Sequence, residues 1–212
     1  MVRLYLLAAV WASLALWPPV LLFSQTSDPN FAEKCLKQRA EYKAGFLSDP
    51  RSPLSAADTA YLDFFPPDPT FFVLAKFEQT PEAKPFQMPT YSGQKRDYVQ
   101  FGLLHFDLGG QPFSLRVYQN LRLIKDPKHR DHLFLPFKDH TNGEETYGGG
   151  RYLDLSQQDI RPDGTLLLDF NRCYNPWCAY SDGFNCPIPP KENHLEWPIN
   201  AGERNFKGAK KH

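Results

Sequence analysis

Neither sign of charge dominates this 212-residue chain: 24 lysines and arginines stand against 24 aspartates and glutamates. Without a basic excess there is no field to gather phosphate backbones or an anionic membrane surface, so nucleic acid is not an expected partner. Cysteine is scarce, with four residues in all, and the chain is long enough to bury a core without many disulfides or a structural metal. Internal repeats and low-complexity linkers are missing. So are the Ser-centred elbow of hydrolases, the HExxH pair, the Walker loop and the dinucleotide fingerprint, which counts against a standard hydrolase, metalloprotease or kinase, leaves an unfamiliar enzyme open and calls for no cofactor.

What the chain has in quantity is aromatic residues, 15%, together with 20 prolines and 13 glycines. That mixture suits short strands joined by tight turns. The expected fold class is therefore mainly β: a small antiparallel barrel or sandwich with an N-terminal helix and an irregular C-terminal loop. Residues 1–24 read as a leader. Arg3 precedes an apolar run from Leu4 to Leu16, Pro18 and Pro19 interrupt it, and Val20 to Phe23 complete it before Ser24. A basic start followed by an apolar stretch is the pattern of a secretory signal peptide. Leu22 is a poor residue three places before a cut, and about 20 uncharged residues would equally span a bilayer as an uncleaved anchor. Either outcome places residues 25–212, a single domain, outside the cytoplasm, periplasmic or secreted, with membrane contact only if the leader stays. Cys35 lies beyond the apolar run, which argues against a lipid-anchored lipoprotein.

After the leader, Asp28 and Pro29 announce a helix whose apolar face carries Phe31, Cys35, Tyr42 and Phe46, a lid over a sheet that ends near Asp49 and Pro50. Ser55 and Asp58 have capping-box spacing for a short second helix. Phe71 to Phe77 is apolar on both faces and is expected as a central strand. Residues 96–108 and 111–119, joined by Gly109 and Gly110, read as a hairpin with Phe113, Leu115 and Val117 on one face and Ser114, Arg116 and Tyr118 on the other. Short strands are expected at Leu121 to Ile124, Leu133 to Phe137 and Thr165 to Phe170.

Residues 147–190 concentrate glycines, charges, amides, aromatics and three of the four cysteines. Gly148 to Gly150 allow close backbone approach, and Arg151 follows with a planar fork of donors that suits a carboxylate or phosphate. The plainer alternative is a glycine corner with Arg151 paired to Asp154 or Asp169. Asp169 closes an apolar strand, with Asn171 on the same side and Tyr174 and Asn175 just beyond; these polar groups either converge on a ligand or shape the loop among themselves. The expected binding set is Arg151, Asp169, Asn171, Tyr174 and Asn175, serving a small molecule or a protein partner. The alternative is a hydrolase-like enzyme with Asp169 as base, Arg151 as anion clamp and Glu203 assisting, for which no nucleophile is evident. Cys178 and Cys186 enclose a turn and are the disulfide candidates. Cys35 and Cys173 remain as a second bridge or two free thiols. Cys173, Cys178, Cys186 and His194 lack the close ligand pairs of a zinc site, so no metal is expected.

Several blocks carry a resemblance: Tyr147-Gly-Gly-Gly-Arg-Tyr-Leu-Asp154, Leu168-Asp-Phe-Asn-Arg172, Tyr174-Asn-Pro-Trp-Cys-Ala-Tyr180, Cys186-Pro-Ile-Pro-Pro190 and Ala201-Gly-Glu203. They are similar to the signature of a bacterial and archaeal family of unknown function, DUF1684, and milder similarity runs back through Phe134 to Asp139, the hairpin and Ser52 to Leu54. The resemblance implies no agreed activity, substrate or cofactor. Two positions depart from its pattern, Cys173 and His194.

Overall fold

The computed structural model describes residues 28–212; the expected leader, residues 1–24, lies outside them. The described chain enters helix α1, Phe31–Ser48. Asp28 supports its start from outside the cap: its carboxylate accepts the Asn30 N–H at 2.9 Å and its carbonyl the Phe31 N–H at 2.9 Å, while Asn30 holds the cap position. The expected apolar face is the one turned inward. Phe31 packs on Phe72 with ring centroids 5.9 Å apart, Tyr42 meets Phe64 edge-on, and Phe46 does the same to Tyr180. Ser55 and Asp58 exchange their capping bonds, yet the helix they start is a single 3-10 turn, Asp58–Tyr61.

Seven strands follow: β1 Phe72–Gln79, β2 Phe86–Pro89, β3 Lys95–Leu108, β4 Gln111–Asn120, β5 His132–Phe137, β6 Arg151–Ser156 and β7 Thr165–Asp169. They pair antiparallel throughout in the order β6-β5-β4-β3-β1-β7, with β2 added to β3, forming an antiparallel half-barrel. The hairpin between β3 and β4 turns at Gly109 and Gly110, with φ +56° and +77°. Two successive positive φ values match the right-handed twist of the strands and come without strain only at residues lacking a Cβ. Leu115 and Val117 enter the main core, joined there by Leu104, Leu135, Leu168 and Phe170. Tyr118 points the other way, into an aromatic cluster with Tyr98, Phe134 and Tyr152 around Met88. The middle of the sheet is therefore covered on both faces.

Three expectations about the strands need correction. Leu121 to Ile124 form no strand, because the Asn120 side chain accepts the N–H groups of Arg122 and Leu123 and turns the chain into a 3-10 turn, Leu123–Lys125. β2 and β6 were not anticipated; β2 is short and ends in a proline, and β6 begins at Arg151 directly after the glycines. β1 is not central and not buried on both faces. It is next to the last strand, and while Val73 and Ala75 are buried, Leu74 is 51% exposed.

Beyond β7 the chain is irregular and held by isolated contacts: Tyr152 pairs with Tyr174, Phe64 with Glu203 and Ser181 with Lys211. Cys178 and Cys186 form a disulfide across eight positions, which stabilises the loop by about 2 to 3 kcal/mol through the unfolded chain. Cys35 and Cys173 are free and buried, so the second of the two alternatives for that pair holds. No helix among the described residues is long and apolar enough to cross a membrane.

Candidate functional site

Arg151 is the first residue of β6, and its side chain falls on the inner face with Leu153. It is completely buried. One guanidinium nitrogen donates to the Asp139 carboxylate at 2.9 Å and to the Ile199 carbonyl at 2.8 Å; the other donates to the carbonyls of Ala201 at 2.5 Å and Glu203 at 3.2 Å. Asp139, also without exposed side chain, accepts from the Thr141 N–H, the Thr141 hydroxyl and the Ile199 N–H. The guanidinium thus staples the 199–203 segment to the sheet. Its partner is Asp139 rather than Asp154 or Asp169. The glycine corner is full as well. A Cβ on Gly149 would lie 2.3 Å from the Tyr147 ring, and one on Gly150, at φ +91°, would lie 2.6 Å from the Phe137 carbonyl. Glycine serves tight packing here.

The other sequence candidates divide. Asn175 is buried; its N–H donates to Glu203 and its amide to the Arg204 carbonyl, both at 2.8 Å. Asp169, Asn171 and Tyr174 instead line a two-lobed groove between α1 and the sheet. The larger lobe has a cavity volume of about 840 Å³ and the smaller about 410 Å³, and they share Cys35, Gln38, Leu153, Asp154 and Arg172. Asp169 lies in the larger lobe. One of its carboxylate oxygens accepts the Asn171 N–H and side-chain amide, each at 3.0 Å, and burial raises its pKa above the usual carboxylate value. Asn171, in the smaller lobe, also brackets the Asp68 peptide, accepting its N–H and donating to its carbonyl, both at 2.8 Å. The Tyr174 hydroxyl donates to Asp154 at 2.7 Å, and His132 bonds the other oxygen of that carboxylate at 2.8 Å. Arg151 and Asp169 do not meet at one hollow.

Sequence reasoning missed the rest of the groove. Leu74 and Leu167 are cross-strand partners on β1 and β7 that line the larger lobe, 51% and 40% exposed. The signal was present in Leu166-Leu167-Leu168, where strand alternation sends the middle leucine away from the core. Arg39 of α1 lines the smaller lobe with its guanidinium 4.9 Å over the Phe64 ring. Its Nε and Nη2 are buried with no hydrogen-bond partner among the described residues, and burial lowers its pKa. Arg172, between the lobes, is exposed and forms no ion pair among the described residues. Cys35 and Cys173 also line the smaller lobe, but burial raises both thiols, Cys173 up to about 12. A buried neutral thiol is a poor nucleophile. The disulfide consumes Cys178 and Cys186, two of the four residues weighed as metal ligands.

Glu203 lies outside both lobes and is wholly buried. Its carboxyl accepts from Tyr180 at 2.7 Å, from the Asn175 N–H at 2.8 Å and from Tyr42 of α1 at 3.0 Å. Burial pushes its pKa up to about 7 against these three donors. The cluster ties the helix that roofs the groove to the C-terminal segment.

With that geometry in view, comparison with known proteins places the chain. The profile described as protein of unknown function, DUF1684, matches residues 58–204. The chain belongs to the DUF1684 family. The DUF1684 stretch spans the whole sheet and the Arg151 staple, whereas α1 precedes it. Among solved structures, an uncharacterized protein from gene locus rrnAC0354 of Haloarcula marismortui, determined in solution by NMR, is 33% identical, with a TM-score of 0.63 over 81% of this chain and 92% of its own. No curated protein matches.

Proposed function

We propose that this DUF1684 protein is an extracytoplasmic small-ligand-binding module whose ligand sits in the groove between α1 and strands β1, β6 and β7. The observation that carries the reading is the pair of bare leucines, Leu74 and Leu167, lining a concave space of about 840 Å³. Ligand pockets combine that range of size with apolar walls and a few placed polar groups. Asp154, Asp169, Asn171 and Tyr174 supply the latter. A concave shape favours a small molecule over a flat protein partner. The Cys178–Cys186 disulfide accords with an oxidising compartment. The hydrolytic alternative retains Asp169 as a carboxyl raised by burial in an open lobe, but it loses its anion clamp, because every arm of Arg151 that bonds at all is spent on Asp139 and three carbonyls.

The test uses an uncharged apolar fluorophore, N-phenyl-1-naphthylamine. The wild-type protein is expected to enhance its emission with one-to-one stoichiometry. Leu74→Glu, which places a charge at an already exposed position, removes the enhancement while leaving the melting temperature close to wild type. An absence of enhancement, or equal enhancement by Leu74→Glu, overturns the reading.

A further inference from the structure

We infer that the ligand of this groove is a single-chain amphiphile with an anionic head, its chain along Leu74 and Leu167 and its head in the smaller lobe against Arg39 and Arg172; this rests on the binding reading above. The groove is divided by chemistry. Phe31, Phe72, Leu74, Leu155 and Leu167 make the larger lobe largely apolar. At the other end the half-buried Arg39 side chain lines the lobe without a hydrogen bond or ion pair among the described residues, two of its guanidinium nitrogens lying out of reach of solvent, and Arg172 stands beside it without an ion pair. A buried donor left unsatisfied is costly, and a guanidinium is best satisfied by an oxyanion.

The carboxylates around the groove are, by contrast, already engaged. Asp28 is paired with Lys34 at 2.5 Å, Asp154 holds His132 and Tyr174, and Asp159 caps the Ser156 N–H at 2.7 Å. Asp169 keeps one oxygen without a bond among the described residues and lines the larger lobe; burial raises its pKa, and the charges of Arg172 and Arg39 act against that shift. Glu41 is exposed at the rim of the smaller lobe. What the head end leaves without a bonding partner inside the groove is therefore the pair of guanidinium groups, Arg39 and Arg172, with Glu41 turned to solvent at its rim.

Displacement of N-phenyl-1-naphthylamine from the full chain tests this, using dodecanoate, dodecyl phosphate, dodecanol and dodecyltrimethylammonium below their micellar concentrations. At least one of the two anions is expected to displace the dye at a concentration about tenfold lower than dodecanol or the cation, the size of one charge-assisted hydrogen bond; which anion does so separates carboxylate from phosphate heads. Arg39→Gln should bring the anion-to-alcohol ratio close to one. Equal displacement by all four, preference for the cation, or an unchanged ratio in Arg39→Gln overturns the inference while dye binding leaves the groove reading intact. Failure of the dye to bind removes the reading itself.

Discussion

Arg151→Met is expected to lower the unfolding free energy by about 3 to 5 kcal/mol, the cost of breaking a buried ion pair by removing one member. Methionine fills much of the volume but supplies no donor. Asp139 then keeps its bonds from Thr141 and Ile199 but loses its cation in a buried site, and the carbonyls of Ile199, Ala201 and Glu203 lose theirs. Arg151→Lys should recover little, since one ammonium cannot reach four acceptors spread across a planar fork. Urea denaturation followed by tryptophan fluorescence reads the effect as a lower midpoint with little change in slope. A folded Arg151→Met protein of wild-type stability that no longer captures ligand would mean that the arginine belongs to a site after all.

Glu203 should make this protein more stable in mild acid than at neutrality. Burial raises its folded pKa from 4.5 to about 7, so between those values the native state holds a proton that the unfolded chain has released. The stabilisation is full below pH 4.5, declines as pH rises through 7, and levels off above it. A shift of that size corresponds to roughly 3 kcal/mol, as an order of magnitude. The exposed aspartates that their partners hold below the usual carboxylate range, such as Asp49 and Asp163, lie on the acid side of this window. Unfolding free energies of wild type and Glu203→Gln at pH 5, 6, 7 and 8 check the assignment. The wild type should lose stability across the series and the variant should be nearly flat; parallel slopes would assign the dependence to another group.

How much of this could be read from the residues depends on where each one pairs. The β3–β4 hairpin was legible because Gly109-Gly110 and the alternation on either side are local signals, and α1 because its aromatic face repeats at helical spacing. The Cys178–Cys186 bridge spans eight positions and was legible for the same reason. Arg151 was not, since its acceptors lie 12, 48, 50 and 52 positions away. A run of glycines before an arginine looks the same whether the fork faces solvent or three carbonyls. Asp169, Asn171 and Tyr174 were expected to share one site with Arg151 and Asn175; the groove they line instead has Arg39 on its wall, on a helix that only tertiary packing brings over the sheet. Leu74 and Leu167 read as core because apolar runs in strands usually are; their strands lie at the end of the sheet, where one face is left for α1 to cover in part.

The central claim, that the groove under α1 and not the glycine–arginine corner receives the ligand, is tested most directly by isotope-filtered NMR of the labelled protein with dodecanoate. The expected result is a set of contacts from the chain methylenes to the methyl groups of Leu74, Leu155 and Leu167. Contacts confined to Tyr91, Tyr147 and the Gly148–Gly150 backbone would contradict it.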